Sequence, residues 1–349
     1  MSSFRAGFLR KNWYTFRKPT ISLGVLVLSV LPLEQKLKAG KIKGIRRNHF
    51  FCHQIARGEI MEYEGIVYRP PSEAQSLIIQ ATIGCAHNTC LFCAMYRGKQ
   101  FRVRALEDIK ADIDEGARLY GKYVTKVFLA DGDALAMDTD QMVEILSFIC
   151  QRLPHVSQIS SYATTQDLLA KSPAELQTIR EAGLELLYIG AESGDNQVLH
   201  AMAKGVTAQQ LAEAGVKAHQ AGFRTSVTLI SGLGSRQRLR EHAVESARLI
   251  SRMKPDFLGF LTLMVEEQAP LFKLVQQGKF QLLEPDEVME EMELFLQEVD
   301  SEGTVFRANH ASNYVNLRGT LNQDRERLLD QIRHARSSTS YKPEYFRGL

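Results

Sequence analysis

An apolar run leads directly into three closely spaced cysteines in the stretch Leu77-Ile-Ile-Gln-Ala-Thr-Ile-Gly-Cys-Ala-His-Asn-Thr-Cys-Leu-Phe-Cys93. The run Leu77 to Ile83 is rich in apolar and β-branched residues, which predicts a buried strand. Cys85, Cys90 and Cys93 follow within nine positions of each other. The stretch therefore predicts a strand that carries a thiol-rich loop at its carboxyl end.

Similar apolar runs recur along the chain and alternate with helical patterns. Five more strands are predicted, at Val124 to Ala130, Gln158 to Ala163, Leu186 to Ala191, Thr225 to Ile230 and Phe257 to Leu263. Helices are predicted at Ala105 to Tyr120, Thr139 to Gln151, Pro173 to Ala182, Ala208 to Gln220 and Arg240 to Arg252. Parallel strands require long crossovers, so the alternation indicates βα units and a parallel sheet. The residues allow an α/β fold of two kinds, a partial (βα)6 TIM-like barrel or a doubly wound sheet, and both collect ligands at the carboxyl ends of the strands.

The alternation of strands and helices stops at Glu266. Two helical stretches remain, Pro285 to Asp300 and Asn322 to His334, and they predict a helical C-terminal cap over residues 266–349. Residues 284–302 contain nine acidic and no basic side chains, which indicates a solvated helix face. Residues 61–265 are then predicted to form the α/β domain, and residues 1–60 an extension before it.

The net charge of +3 over 349 residues hides two opposite regions. Residues 1–60 carry 12 Lys and Arg against Glu34 and Glu59, whereas residues 61–349 have a net charge of −7. With 44% hydrophobic and 24% charged residues, the composition is that of a globular protein and excludes a disordered chain or a multi-span membrane protein. The acidic region lacks the positive charge that nucleic-acid binding requires, so nucleic acid is not an expected partner.

The basic N-terminal segment, residues 1–60, contains one apolar run, Ile21 to Leu33. Crossing a bilayer takes about 20 apolar residues, so no stable membrane span is predicted, and no small-residue cleavage site follows the run. If Cys85, Cys90 and Cys93 hold a reducible metal cluster, an oxidising compartment would conflict with that chemistry, so a cytoplasmic location is expected. Met61 opens a stretch typical of the beginning of a domain, which favours an extension outside the fold. A role of the basic segment at an anionic or membrane surface is the alternative.

The cysteine spacing C-x4-C-x2-C allows several kinds of site. Three thiolates on one loop can bind three irons of a 4Fe-4S cube and leave the fourth iron open. A plant-type 2Fe-2S site has the same spacing but needs a fourth cysteine, and Cys150 is the only later one. A zinc site could add His87 as a fourth ligand, although a hydrogen-bonding role in the loop is the simpler interpretation of this histidine. Cys150 is most simply a small core residue.

On these residues the chain resembles the radical SAM superfamily, in which three cysteines bind a 4Fe-4S cluster and S-adenosylmethionine chelates the fourth iron. The usual spacing in the superfamily is C-x3-C-x2-C, and this chain has one extra residue in the first gap. Further segments follow in the order that the superfamily has, and they resemble its elongator-type and oxygen-independent coproporphyrinogen oxidase-like branch. The resemblance covers about residues 75–265 and implies the partial barrel.

The resemblance implies six cofactor-binding residues, which are Phe92, Gly132, Asp133, Glu192, Ser193 and Lys204. Phe92 precedes the third cysteine and would pack near the adenine. Gly132 lies in Ala-Asp-Gly-Asp after the second predicted strand, a segment that would meet the amino group of the methionine moiety. Glu192 would approach the ribose, and Lys204 a carboxylate. An ordinary turn at Gly132 and a cation at a helix end for Lys204 are the alternatives, and Asp131 could position substrate or cap the next element.

A closer likeness is to a group of uncharacterised bacterial and archaeal iron-sulfur oxidoreductases whose loop also has the C-x4-C-x2-C spacing. The likeness includes the run Asn-His-Ala-Ser-Asn-Tyr at residues 309–314. This run provides four candidate substrate-binding residues, His310, Ser312, Asn313 and Tyr314. Asn and Ser also favour turns by themselves, so a self-bonded turn is the alternative.

The resemblance implies an enzyme that cleaves S-adenosylmethionine reductively to a 5′-deoxyadenosyl radical, which abstracts hydrogen from a small-molecule or peptide substrate. It also implies a low-potential electron donor of the flavodoxin or ferredoxin type. Two alternatives remain open: an RNA-modifying enzyme with the same chemistry, and a non-enzymatic iron-sulfur electron carrier. The negative charge of residues 61–349 opposes the first, and a carrier would need a fourth protein ligand.

Overall fold

Parallel pairing dominates the central sheet of the chain. The computed structural model describes residues 63–348, so the prediction of an extension at residues 1–60 lies outside the described residues. Ten strands are present in this part of the chain: β1 (Leu77–Gln80), β2 (Thr82–Ile83), β3 (Arg102–Val103), β4 (Lys126–Ala130), β5 (Gln158–Tyr162), β6 (Leu184–Glu192), β7 (Arg224–Ser231), β8 (Phe257–Thr262), β9 (Val305–Ala308) and β10 (Leu317–Thr320). Eight of them form one sheet in the order β1-β4-β5-β6-β7-β8-β9-β10, and β2 and β3 form a separate antiparallel pair.

Seven of the eight strands in the large sheet run parallel, and only β10 is antiparallel to its neighbour β9. Ten α-helices accompany them in the described residues: α1 (Leu106–Tyr120), α2 (Thr139–Arg152), α3 (Thr165–Ala170), α4 (Pro173–Glu181), α5 (Asn196–Ala201), α6 (Ala208–Gln220), α7 (Leu239–Met253), α8 (Pro270–Gln276), α9 (Pro285–Glu298) and α10 (Arg325–Ser338). Strands β1 and β10 each pair with only one neighbour and form the two edges of the sheet. The sheet is therefore open in residues 63–348.

The predicted α/β fold with a partial (βα)6 TIM-like barrel is confirmed. All six predicted strands and all seven predicted helices are present within a few residues of their expected bounds. The helix starts have the expected chemistry, since Ser172 and Glu175 form a reciprocal capping box before α4 and Thr207 and Gln210 form another before α6.

The C-terminal part differs from the prediction of a purely helical cap. Strands β9 and β10 extend the sheet beyond residue 266, with β9 parallel to β8. Each has only four residues, and their sequences, Val-Phe-Arg-Ala and Leu-Arg-Gly-Thr, are too short and too mixed to show a strand pattern. Three helices of six or seven residues, α3, α5 and α8, were also not predicted.

The two faces of the sheet are buried against different partners. On one face, apolar side chains such as Ile79, Leu129 and Leu187 pack with the helices in the main core. On the other face, Phe128 and Tyr188 are buried, and with Tyr162 they form edge-to-face aromatic contacts, with ring centroids 5.1 to 6.2 Å apart. Both faces are therefore covered, as parallel sheets require. No helix in residues 63–348 has the length and apolar character needed to cross a membrane.

Candidate active site

The three cysteines lie on a loop at the carboxyl edge of the parallel sheet. Cys85, Cys90 and Cys93 belong to residues 84–97, called the cluster loop here, which follows β1 and the short strand β2. All three are partly buried free thiols. Burial raises the pKa of each thiol, and that of Cys90 to about 11. A positively charged metal group would favour the thiolate form that ligation requires.

Hydrogen bonds fasten the cluster loop to the end of the strands. Asp131, directly after β4, accepts from the backbone N–H of Gly84 at 3.2 Å and from Lys99 Nζ at 2.5 Å. Asp131 is fully buried, and Gln80 Nε2 also approaches its carboxylate at 3.4 Å. These contacts all use Oδ2 and fasten the cluster loop to the end of β4, whereas the buried Oδ1 of Asp131 has no partner within residues 63–348.

Gly132 allows the β4 end and the cluster loop to approach closely. A Cβ atom at this position would lie 2.6 Å from the ring of Tyr96 and 3.0 Å from Cys85 Cβ. Its N–H donates to the Gly84 carbonyl at 3.1 Å. A larger residue at position 132 would therefore push the cluster loop away from the end of β4, whereas the predicted contact of this segment with the methionine moiety stays a prediction.

Asp133 is a buried carboxyl, and within residues 63–348 neither oxygen has a hydrogen bond of good geometry, although the Asp167 side chain and the Ala86 backbone lie close to it. It is 1% exposed, and its neighbour Asp167 lies in the first turn of α3. Burial, followed by the nearby Asp167, raises the pKa of Asp133 to about 9. A proton is thus held on Asp133 at neutral pH, and a cationic group arriving beside the two carboxyls would displace it. The sequence analysis did not name Asp167 as a site residue. Its position three residues after the helix cap Thr164, which accepts a hydrogen bond from the Asp167 N–H, places it at a helix start but does not indicate a contact with Asp133.

Glu192, at the end of β6, is a second carboxylate of the site and is partly buried. Its backbone lies in the left-handed region at φ +67°, and its Oε1 contacts Lys204 Nζ at 3.4 Å, while its shielded Oε2 has no partner within residues 63–348. Burial raises the pKa of Glu192, and Lys204 counteracts this only in part. Burial lowers the pKa of Lys204, but Glu192 and the nearby Cys90 raise it, and the net shift is upward. The pair leaves one carboxylate oxygen free to accept from a ligand.

A second layer holds the turn that carries Glu192. Ser246 of α7 accepts from the N–H of Gly194 at 2.9 Å, and His242 of α7 lies beside the backbone of Glu192. His242 Nδ1 contacts Glu291 Oε1 of α9 at 2.6 Å, and both side chains are fully buried. The expectation that residues 284–302 form a solvated face is therefore wrong at Glu291, which lies in the core behind the site and also accepts from the N–H of Gly232 at 2.8 Å. A single acidic residue that turns inward cannot be recognised within an acidic run.

The remaining predicted cofactor residues lie around these carboxylates. Ser193 is buried, and its Oγ accepts from the N–H of Asp195, so its hydroxyl orders the turn after β6. Phe92 packs with the apolar cluster that contains Leu271 and Met202. The residue between Cys90 and Phe92, Leu91, exchanges backbone hydrogen bonds with both of these segments, at 2.9 Å each. An apolar wall thus covers the cluster loop on the side of α5 and α8.

His87 connects the cluster loop to the segment that carries Lys204. Its Nε2 lies 2.8 Å from the Ala203 carbonyl and 2.8 Å from Thr89 Oγ1. A Cβ atom at Gly205 would lie 2.5 Å from the His87 ring, so glycine is required there. These contacts agree with a hydrogen-bonding role of His87 in the loop.

Cys150 is far from the other cysteines and is not the core residue that the sequence suggested. It is exposed on α2, and its Sγ lies near Gly183, which directly precedes β6. This is the amino edge of the parallel sheet, whereas the cluster loop lies at the carboxyl edge. Cys150 therefore cannot supply a fourth ligand to the cluster loop.

The candidate substrate residues 310–314 lie between β9 and β10, also at the carboxyl edge. Asn313 is buried, donates from Nδ2 to the Phe260 carbonyl at 2.8 Å and accepts from Thr262 Oγ1 at 2.9 Å. Ser312 Oγ accepts from the N–H of Thr262 at 3.2 Å and contacts His310 Nδ1 at 2.9 Å. Tyr314 donates to Glu344 at 2.7 Å. Most of these hydrogen bonds join Ser312 and Asn313 to the end of β8 and not to the turn itself, which differs from the self-bonded turn that the sequence offered, and His310 remains half-buried beside them.

Comparison with known proteins identifies the domain that these residues form. Residues 79–247 match the model of the radical SAM superfamily. The chain contains a radical SAM domain. The cofactors of this domain are a 4Fe-4S cluster and S-adenosylmethionine.

Curated relatives share parts of the radical SAM domain at low identity. The heme chaperone HemW of Bacillus subtilis is 21% identical over 179 residues, 51% of this chain and 46% of HemW. An uncharacterized methyltransferase of Pyrococcus horikoshii is 24% identical over 187 residues, 52% of this chain and 38% of that protein. The chain thus matches less than half the length of both relatives.

Solved structures are similar to the chain as well. The coproporphyrinogen III oxidase of Escherichia coli, described as a radical SAM enzyme, has a TM-score of 0.49 and 18% identity over 64% of this chain and 52% of that chain. The radical S-adenosylmethionine methyltransferase TsrM of Kitasatospora setae has a TM-score of 0.48 and 15% identity over 58% and 39%.

The residues present fit both cofactors of the radical SAM domain. Among residues 63–348, no three His, Cys, Asp or Glu side chains converge on a single metal ion. A 4Fe-4S cube does not require such convergence, because each thiolate binds a different iron. Within residues 63–348, Asp131 Oδ1, both Asp133 oxygens and Glu192 Oε2 are buried acceptors without partners, which is unfavourable unless a ligand supplies donors.

Proposed function

We propose that the chain is a radical SAM enzyme that abstracts hydrogen from a small-molecule or peptide substrate. The observation that carries the proposal is the combination, at one edge of the sheet, of three thiols with three carboxyl groups, those of Asp131, Asp133 and Glu192, that each have a buried oxygen without a partner within residues 63–348. When bound, the cluster and S-adenosylmethionine supply a 5′-deoxyadenosyl radical. The side chains of the protein bind, orient and shield these groups.

Each part of the site has its own task in this proposal. Cys85, Cys90 and Cys93 would hold the cluster. Asp133, with Asp167 beside it, would accept from the ammonium group of the methionine moiety, because two buried carboxyls favour a cation. Glu192 Oε2 would accept from a ribose hydroxyl.

Exclusion of water is the second task of the protein. The apolar wall at Phe92, Leu271 and Met202 lies against the loop segment between the second and third cysteines. An apolar surface there would cover an adenine ring and keep solvent from the reacting carbon.

Partners and location belong to the same proposal. A low-potential donor of the flavodoxin or ferredoxin type would supply the electron, and the reducing cytoplasm would preserve the cluster. The net charge of −7 over residues 61–349 supports a substrate other than RNA.

The experiment is reconstitution of the full chain with iron and sulfide under anaerobic conditions. We expect about four irons per chain and, after reduction with dithionite, release of 5′-deoxyadenosine from S-adenosylmethionine. Chromatography of the reaction mixture measures the product. Protein that binds the irons but releases no 5′-deoxyadenosine would be an electron carrier, and the proposal would be wrong.

A further inference from the structure

Arg97 lies at the centre of the cluster loop, four residues after the third cysteine. Its guanidinium donates from Nε to the Cys93 carbonyl at 3.1 Å and from Nη1 to the Asn88 carbonyl at 3.0 Å. It also donates from Nη2 to the Cys90 carbonyl. One rigid side chain thus connects three backbone carbonyls of the loop, two of which belong to cysteines of the predicted cluster.

Other hydrogen bonds hold single points of the loop, at Gly84, His87, Asn88 and Leu91, but none of them joins the second and third cysteines through one side chain. Its internal backbone contacts are turns, such as Cys93 N–H to the Cys90 carbonyl at 3.3 Å. Three charge-assisted donors from one side chain are stronger than such contacts. Arg97 therefore holds the spacing between the second and third cysteines.

The positive charge of Arg97 differs from that of its cationic neighbours. Lys99 is paired with Asp131 at 2.5 Å, and Lys204 is paired with Glu192 at 3.4 Å. The contacts of Arg97 are all to neutral carbonyls, and within residues 63–348 no carboxylate forms an ion pair with it. The positive charge of Arg97 is therefore not neutralised by a carboxylate among residues 63–348, whereas the charges of Lys99 and Lys204 are.

We propose that Arg97 is a positioning residue that fixes the cluster loop before the cofactors bind and raises the reduction potential of the cluster. The inference rests on the proposed function. One electron passes from the low-potential donor to the cluster, whose net charge becomes more negative by one. A nearby cation stabilises the reduced form relative to the oxidised form, so the potential is higher with Arg97 than without it.

The test compares Arg97→Lys, which keeps the charge but loses the three-way contact, with Arg97→Gln, which loses both. Arg102→Gln is the matched control, because Arg102 forms an exposed ion pair with Glu64 outside the loop. Hydrogen exchange of the cluster-free chains is measured in peptides that cover residues 84–97. We expect exchange about tenfold faster in both Arg97 variants and unchanged in Arg102→Gln, since the loop opens more readily.

A redox titration of the reconstituted chains, followed by electron paramagnetic resonance, tests the charge. We expect a more negative midpoint potential in Arg97→Gln and a potential near that of the unmodified chain in Arg97→Lys. Unchanged exchange in both variants, or an unchanged potential in Arg97→Gln, would overturn the proposal. If Arg97→Gln binds too little iron for titration, the exchange data decide, with fast exchange supporting the proposal. Failure of the proposed function is distinguishable, because then the unmodified chain itself would lack the cluster or the cleavage of S-adenosylmethionine.

Discussion

Two regions at the same edge of the sheet carry polar motifs, and they use their polar atoms in opposite ways. At the ends of β4 and β6, Asp133 and Glu192 have buried oxygens without a partner among residues 63–348. In the loop of residues 309–316, between β9 and β10, Ser312 and Asn313 are fully buried, but their side chains bind the end of β8. Burying a polar atom without a partner is costly, so we expect the first region to bind a ligand and the second region to stabilise the fold.

The comparison also separates the effects of mutations. Substitutions in the first region should change ligand binding more than folding. Substitutions in the 309–316 loop should change folding more than ligand binding. The following predictions test this difference, beginning with the largest effect.

Loss of any cysteine of the cluster loop should abolish function. We expect Cys85→Ala, Cys90→Ala and Cys93→Ala each to lose the cluster and all release of 5′-deoxyadenosine, because a cube held by two thiolates is not retained. Iron analysis and absorbance spectra measure the loss. Cys150→Ala is the control and should keep full activity, since Cys150 is exposed at the opposite edge of the sheet. Normal cleavage in all three loop variants would contradict the assignment of the site.

Replacing Glu192 with Gln should weaken S-adenosylmethionine binding about 10- to 100-fold, because an acceptor without any other partner is lost. Calorimetry on the reconstituted chain measures the dissociation constant. Glu185→Gln is the matched control at the other end of the same strand, where Glu185 pairs with Arg224 at 2.9 Å. Equal affinities in the two variants would show that Glu192 does not contact the ligand.

The affinity for S-adenosylmethionine should rise with pH through Asp133. The pKa of Asp133 is raised to about 9, so the carboxyl is protonated below that pH and must lose its proton to accept a cation. From about pH 6 to about pH 8 the affinity should increase by up to about tenfold per pH unit. Asp133→Asn should remove this slope, whereas Asp138→Asn, at an exposed position, should keep it. A slope that persists in Asp133→Asn would assign the proton to another group.

Asn313→Ala should destabilise the fold by about 1 to 3 kcal/mol and leave S-adenosylmethionine binding unchanged, because two hydrogen bonds to β8 are lost. Chemical denaturation measures the free energy of unfolding, and calorimetry measures binding. A variant with normal stability but no turnover of a substrate would instead place the loop in substrate binding. The comparison between the two regions would then fail.

Much of the fold and part of the site could be predicted from the sequence alone. The six barrel strands and the capped helices have strong local patterns, since apolar runs and capping residues act over a few neighbours. Cys85, Cys90 and Cys93 are adjacent in sequence, and their spacing alone indicated a metal-binding loop. Gly132 was recognised in the same way, from its position directly after a predicted strand.

Only the tertiary structure decided which polar residues are available to a ligand. Asp133 and Asn313 both appear in polar motifs, and nothing local distinguishes a carboxyl left without a partner from an amide that binds the neighbouring strand. Asp167, Glu291 and Arg97 reach the site region from other segments or through contacts with backbone carbonyls, which leave no periodic signal. The sequence determined the elements and the thiol-rich loop because those depend on near neighbours. The satisfaction of buried polar atoms depends on distant chain segments meeting, and only the folded structure determines it.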